Sequence, residues 1–114
     1  MTLRIGINGF GRMGRLALRA GWNTPGIEFV QLNEISTDAA GSAHLLKFDS
    51  IHGTWDHETD AVNGRLFIGN KALRYSQHAD IEKCDWSGCD LVIESTGKHH
   101  KTPDSLQNYF QQGV

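Results

Sequence analysis

Apolar positions along the chain fall into two periods. Leu3, Ile5 and Ile7 alternate with Arg4, Gly6 and Asn8, which predicts a strand with successive side chains on opposite faces. From Met13 the period lengthens. Met13, Leu16, Ala17 and Ala20 stand at i, i+3, i+4 and i+7 and predict a helix that buries this face. Turn chemistry at Pro25-Gly26 closes the unit, and residues 28–33, rich in strand formers, predict a second strand. Thr37-Asp38 then offers a cap for a helix through Lys47, with Ala40, Ala43, Leu46 and Lys47 on a moderately amphipathic face.

Residues 48–55 read as a loop, in which His52 suits a turn or packing role better than that of a base. Asn63-Gly64, between Ala61-Val62 and residues 65–68, is the best hairpin signal in the chain. A further turn at Gly69-Asn70 leads into a strand over 71–76. This excursion either extends the sheet's end or forms a rim over a ligand. Residues 80–86 predict one or two short helical turns, and Leu91-Val92-Ile93 predicts a parallel strand covered on both faces. Thr102 and Pro103 open a last helix whose apolar face is Leu106, Tyr109 and Phe110, with Gly113 at its end. Strand and helix alternate around the hairpin, so the fold class is α/β: a mostly parallel sheet with helices on both faces and an inserted β-hairpin.

The glycines add chemistry to this pattern. Gly9, Gly11 and Gly14 form G-x-G-x-x-G where the first strand meets the first helix, the context in which that motif binds a dinucleotide. The first permits a tight turn, the second lets backbone approach a pyrophosphate, and the third lets helix pack on strand. Amides around Arg12 and Met13 then face the anion, with Arg12 and Arg15 adding charge. Glu34 stands 20 residues beyond Gly14, the offset of a ribose-binding acid. Its charge would repel a 2′-phosphate, so NAD is favoured over NADP. Ser95-Thr96-Gly97 follows the strand at 90–94, at a sheet edge where open α/β folds bind ligands.

Composition removes other functions. With 114 residues the chain holds one domain at most, and a net charge of -2 with mixed signs leaves no basic stripe for nucleic acid. No apolar run approaches a membrane span, and Met1-Thr2-Leu3-Arg4 leads directly into the first strand, so the expected location is the cytoplasm. Cys84 and Cys89 read as free structural thiols, without an identifiable base beside them. Their spacing to His99-His100 matches no compact metal pattern, so no metal site is expected.

Several segments, in order, resemble the phosphorylating glyceraldehyde-3-phosphate dehydrogenase family. Residues 5–15 are similar to its amino-terminal signature, and Leu32-Asn33-Glu34 to the end of its second strand, usually Asn-Asp. Residues 46–53 resemble its Leu-Lys-Tyr-Asp-Ser-x-His-Gly run, and Glu94-Ser95-Thr96-Gly97 its Glu-Ser/Ala-Thr-Gly segment. The resemblance implies a Rossmann-type NAD-binding fold. It places Asn8, Gly9, Phe10, Gly11, Arg12, Met13, Gly14, Asn33, Glu34, Ser95, Thr96 and Gly97 at the cofactor. Three departures stand out: Glu34 replaces the usual Asp, Ala79 stands where Arg is usual, and Lys98-His99-His100-Lys101 replaces an apolar or aromatic stretch. Asn-Glu with Ser-Thr-Gly-Lys is similar to the branch linked to arsenic-resistance operons, whose members are thought to make 1-arseno-3-phosphoglycerate.

Nothing in the chain matches the family's Ser-Cys-Thr-Thr-Asn segment or its later catalytic His. The expectation is therefore an incomplete domain, residues 1–114 being the amino-terminal part of an NAD-binding domain without a catalytic residue of its own. The family's partners would be an aldehyde phosphate and further copies of the chain, as a tetramer. A stand-alone, non-catalytic nucleotide-binding module is the alternative.

Overall fold

The computed structural model describes residues 2–49, 53–96 and 107–114. β1 (Leu3–Asn8) feeds α1 (Arg12–Gly21), which returns the chain to β2 (Ile27–Asn33). α2 (Ala39–Lys47) follows, then a small antiparallel ribbon of β3 (Phe48–Asp49) and β4 (Gly53–Thr54). β5 (Thr59–Val62), β6 (Arg65–Ile68) and β7 (Lys71–Ser76) come next, and a 3-10 turn at Ile81–Lys83 precedes β8 (Leu91–Glu94) and the short α3 (Gln107–Phe110).

Six strands form one sheet in the order β5-β6-β7-β2-β1-β8. β7, β2, β1 and β8 are parallel neighbours, whereas β5, β6 and β7 run antiparallel. Asn63 and Gly64 both take positive φ, +52° and +75°, as a two-residue hairpin turn requires. The hairpin thus extends the sheet at its far end. Winding runs outward from β1 to β2 to β7, then reverses to place β8 on the other side of β1. Open α/β sheets form their ligand crevice at such a reversal, beyond the carboxyl ends of the strands.

Each face has its own core. On one, Ile5, Ile7, Phe29 and Leu32 of the central strands meet Leu18 of α1 and Ala43 and Leu46 of α2, while Leu66, Ile68 and Leu73 continue the layer beneath α2. On the other, Ile81, Cys84, Trp86, Cys89 and Tyr109 pack together with Val30 and Val92. Gly6 makes the second core possible, since a Cβ there would lie 2.8 Å from both the Trp86 ring and the Cys89 sulfur. Both α1 and α2 therefore cover one face. Among the described residues the other face carries the 3-10 turn, the chain to Cys89, and α3.

Several expected details change. The buried face of α1 is Gly14 and Leu18, while Met13 is 69% exposed and Ala20 is also exposed, because the turn at Gly9 rotates Gly14 onto the sheet. In α2 the face is Ala39, Ser42, Ala43 and Leu46, and Ala40 points outward. Residues 48–55 are not all loop, since β3 and β4 pair within them. β8 is covered less than its apolar run predicts: among the described residues it is the sheet's edge, and Leu91 is 45% exposed. Tyr109 of α3 is buried but Phe110 is exposed. Residues 50–52, with His52, and 97–106, with Gly97, His99, His100 and the start of the last predicted helix, lie outside the described residues.

Candidate functional site

Gly9, the residue after β1, has φ of +93°, and a Cβ on it would lie 2.6 Å from the Thr96 amide nitrogen. Only glycine brings this turn so close to the end of β8. The Gly9 amide donates to the Asn33 carbonyl at 2.9 Å, and Ser95 returns its hydroxyl to the Gly9 carbonyl at 2.6 Å. Gly14 sits where a Cβ would collide with the Gly9 carbonyl oxygen and touch Ile7, so α1 lies directly on the turn. Gly11 differs. A Cβ there would meet nothing within 4 Å, so the space in front of it is open.

Gly11 is also the N-cap of α1, with no side-chain cap and no acidic residue in the first turn. The leading amides of a helix have no intrahelical acceptor, and the helix dipole makes their end attractive to anions. An open Gly11 before an uncapped helix fits a dinucleotide's pyrophosphate. Arg12 and Met13 are exposed at this entrance, whereas Phe10 is buried in the turn and packs with the first core.

A cleft of about 230 Å³ opens beside the turn, lined by Asn8, Gly9, Gly11, Asn33, Glu34 and Thr96 among others. Glu34 leaves β2 here, and its Oε2 accepts the Ser36 amide at 2.9 Å and the Ser36 hydroxyl at 2.6 Å. Burial opposes its charge, but those two bonds, with the backbone of Phe10 and Ile35, outweigh it and hold the carboxyl below its ordinary value of 4.5. Glu34 is therefore a carboxylate at neutral pH.

Asn8 and Asn33 line the cleft floor, but their amides are engaged within the protein. Asn33 Nδ2 donates to Asn8 Oδ1 at 2.9 Å and to the His78 carbonyl at 2.8 Å, while its Oδ1 accepts the Ser76 hydroxyl and the His78 amide. Asn8 Nδ2 donates to Glu94 Oε1 at 3.1 Å and to the Tyr109 hydroxyl at 2.7 Å. Both asparagines are buried, and they fasten the ends of β7, β2, β1 and β8 to one another. The family resemblance places both at the cofactor; the structure brings both to the cleft floor, with their side-chain amides bonded inside the protein.

Ile35, Ser36 and His78, which no sequence motif marks, complete the cleft wall together with Ala79, the position where the family usually has Arg. A signal existed. His78 and Ala79 follow β7, and loops at the carboxyl ends of parallel strands line the crevice of such sheets. Cys84 and Cys89 are buried free thiols. Burial raises the Cys84 pKa, and raises that of Cys89 to about 11, so neither is a thiolate at neutral pH.

The winding reversal, the glycine turn and the uncapped helix define the class, a Rossmann-type dinucleotide-binding unit. Comparison with known proteins agrees. Residues 3–102 match the model described as glyceraldehyde 3-phosphate dehydrogenase, NAD binding domain, and the chain belongs to that family, whose cofactor is NAD. Glyceraldehyde-3-phosphate dehydrogenase 3 of Nostoc is 50% identical over all of this chain and 34% of the relative. The Geobacillus stearothermophilus dehydrogenase is 41% identical over 95% of the chain and 32% of the relative. That of Lactobacillus delbrueckii is 45% identical over 85% and 30%. The chain thus spans about a third of the length of these curated relatives. No helix among the described residues is long and apolar enough to cross a membrane.

Proposed function

We propose that the chain is the amino-terminal part of the NAD-binding domain of a phosphorylating aldehyde dehydrogenase. In this reading the amides at residues 11–13 hold the pyrophosphate and Glu34 accepts the adenosine ribose hydroxyls. Gly9 and Gly14 shape the turn, Ser95 and Thr96 form the wall opposite, and the family resemblance adds Gly97 as a further cofactor contact. The observation that carries it is the bare amino end of α1 opening into the same cleft as the ionised Glu34. A 2′-phosphate beside that carboxylate would meet like charge, which favours NAD over NADP. NAD supplies the hydride acceptor when bound.

The nucleophile of the parent enzyme comes from outside these residues in this reading, because both thiols here are buried and protonated. The substrate of that enzyme would be an aldehyde phosphate, with phosphate or arsenate resolving a thioester, in a cytoplasmic homo-oligomer. The open side of β8, beside an apolar cleft lined by Leu91, Val92, Tyr109 and Phe110, would receive the next strand of the domain.

Titration calorimetry of the full chain with NAD and NADP tests the proposal. NAD should bind more tightly than NADP, and Gly11→Val should abolish binding while leaving the circular dichroism spectrum unchanged. Retained NAD binding in a folded Gly11→Val variant would remove the turn from the site. The chain alone should oxidise no aldehyde, and robust NAD-dependent turnover would refute the inactive-part reading.

A further inference from the structure

A polar relay runs from the second core into the cleft wall. Tyr109 projects from α3 into that core, where its ring meets Trp86 edge-on at 5.8 Å between centroids. Its hydroxyl reaches the sheet, donating to Glu94 Oε1 at 2.5 Å and accepting from Asn8 Nδ2 at 2.7 Å. Glu94 is the last residue of β8, and its other oxygen bonds Thr96, which lines the cleft. There Oε2 accepts the Thr96 amide at 3.0 Å and the Thr96 hydroxyl at 2.7 Å. One carboxylate thus joins a buried phenol on its first oxygen to a cleft-lining residue on its second.

We infer that Tyr109 is a positioning residue for the NAD cleft, acting through Glu94 to fix Thr96 against the Gly9 turn. The inference rests on the cleft being the NAD site. Its physical basis is that the two oxygens of a carboxylate turn together about its last side-chain bond, so anchoring one sets the direction of the other. Asn8 and Tyr109 hold Oε1, so Oε2 keeps a fixed direction and Thr96 is held with it. The Thr96 amide nitrogen is the atom against which Gly9 packs, so a rotation of Glu94 would reach the turn itself. Burial first, then donation to Glu94, keeps the phenol protonated far above neutral pH, so the hydroxyl remains a donor throughout the working range. Nothing in the sequence separates Tyr109 from an ordinary core aromatic.

Tyr109→Phe keeps the ring against Trp86 and removes only the hydroxyl. In the full chain, NAD should bind about 3- to 10-fold more weakly by titration calorimetry, as expected for one lost hydrogen bond. The near-ultraviolet circular dichroism of the buried Trp86 should be unchanged, and the Thr96 amide resonance should shift. In a Thr96→Val background the same substitution should cost clearly less than in the unaltered chain, because only the amide half of the contact with Glu94 remains to be positioned; a merely structural role would give additive losses. Glu94→Gln breaks the relay at its middle and should reproduce both the weaker binding and the Thr96 shift, even if Tyr109→Phe fails to fold. Unchanged affinity in either folded variant, or additivity with Thr96→Val, would overturn the inference while NAD binding by the unaltered chain still stood. Loss of the cleft reading itself would show as absent NAD binding by the unaltered chain, and would overturn both.

Discussion

α1 and α2 begin at the same edge of the sheet, after adjacent parallel strands, yet their amino ends are built in opposite ways. α2 is closed by its own sequence: Asp38 is its N-cap, and Oδ1 accepts the Gly41 amide at 2.9 Å. A further tie comes from Tyr75, whose hydroxyl donates to the Thr37 carbonyl at 2.8 Å just before the helix. α1 begins at Gly11 without a side-chain cap, and the space where a Cβ would point is open. A satisfied helix end offers little to a ligand, whereas an uncapped one facing a cleft keeps its donors for an anion. Of these two strand-helix junctions, only the one before α1 leaves its helix end without a side-chain cap.

Exchanging the two kinds of helix end gives the largest expected effect. Gly11→Asp would place a capping carboxylate on α1, and NAD affinity should fall by about 1,000-fold, or about 4 kcal/mol. Thermal stability should hold or rise slightly, so a loss of both would break the comparison. Gly14→Ala tests the seat beneath the turn. Its methyl would meet the Gly9 carbonyl oxygen, and urea unfolding should show a loss of about 3 kcal/mol.

Glu34→Ala is expected to weaken NAD by about tenfold and to narrow the preference over NADP, as judged by calorimetry. Equal affinities before and after would take Glu34 out of the site. Asp38→Ala should cost α2 about 1 kcal/mol in chemical denaturation while leaving NAD affinity unchanged, because that cap serves only the helix.

The smallest effect is one of pH. The Glu34 pKa is depressed in the fold, so the interactions of its charged form are complete above 4.5 and are lost as pH falls through the lower folded value. Ser36→Ala removes one of the hydroxyl and amide donors that depress it, so the acid loss of NAD affinity should begin at higher pH than in the unaltered chain. Coincident pH profiles would show that Ser36 does not support the carboxylate.

Much of this was legible beforehand because local chemistry dictates it. Asn63-Gly64 can hardly be anything but a two-residue hairpin turn, and three glycines at a strand-helix junction prescribe a backbone that comes close to something else. The misread helix faces have one cause. Periodicity counts apolar residues but not what a neighbouring turn does to the rotation of the helix, so it places Met13 inward where Gly14 in fact meets the sheet. The run of three apolar residues in β8 predicts full cover because it is the same whether a strand lies inside a sheet or at its edge.

The sequence by itself determined the strand-helix alternation from β1 to α2, the Asn63-Gly64 hairpin, the glycine turn and the acid at the end of β2, because each is written in residues close along the chain. Tertiary structure alone decided which polar groups the protein keeps for itself. Asn33 bonds to Asn8 across 25 positions and Tyr109 reaches Glu94 across 15, and no periodicity encodes which strand ends will lie side by side. Folding brings those ends together, satisfies the asparagines among themselves, and leaves the amino end of α1 uncapped beside Glu34.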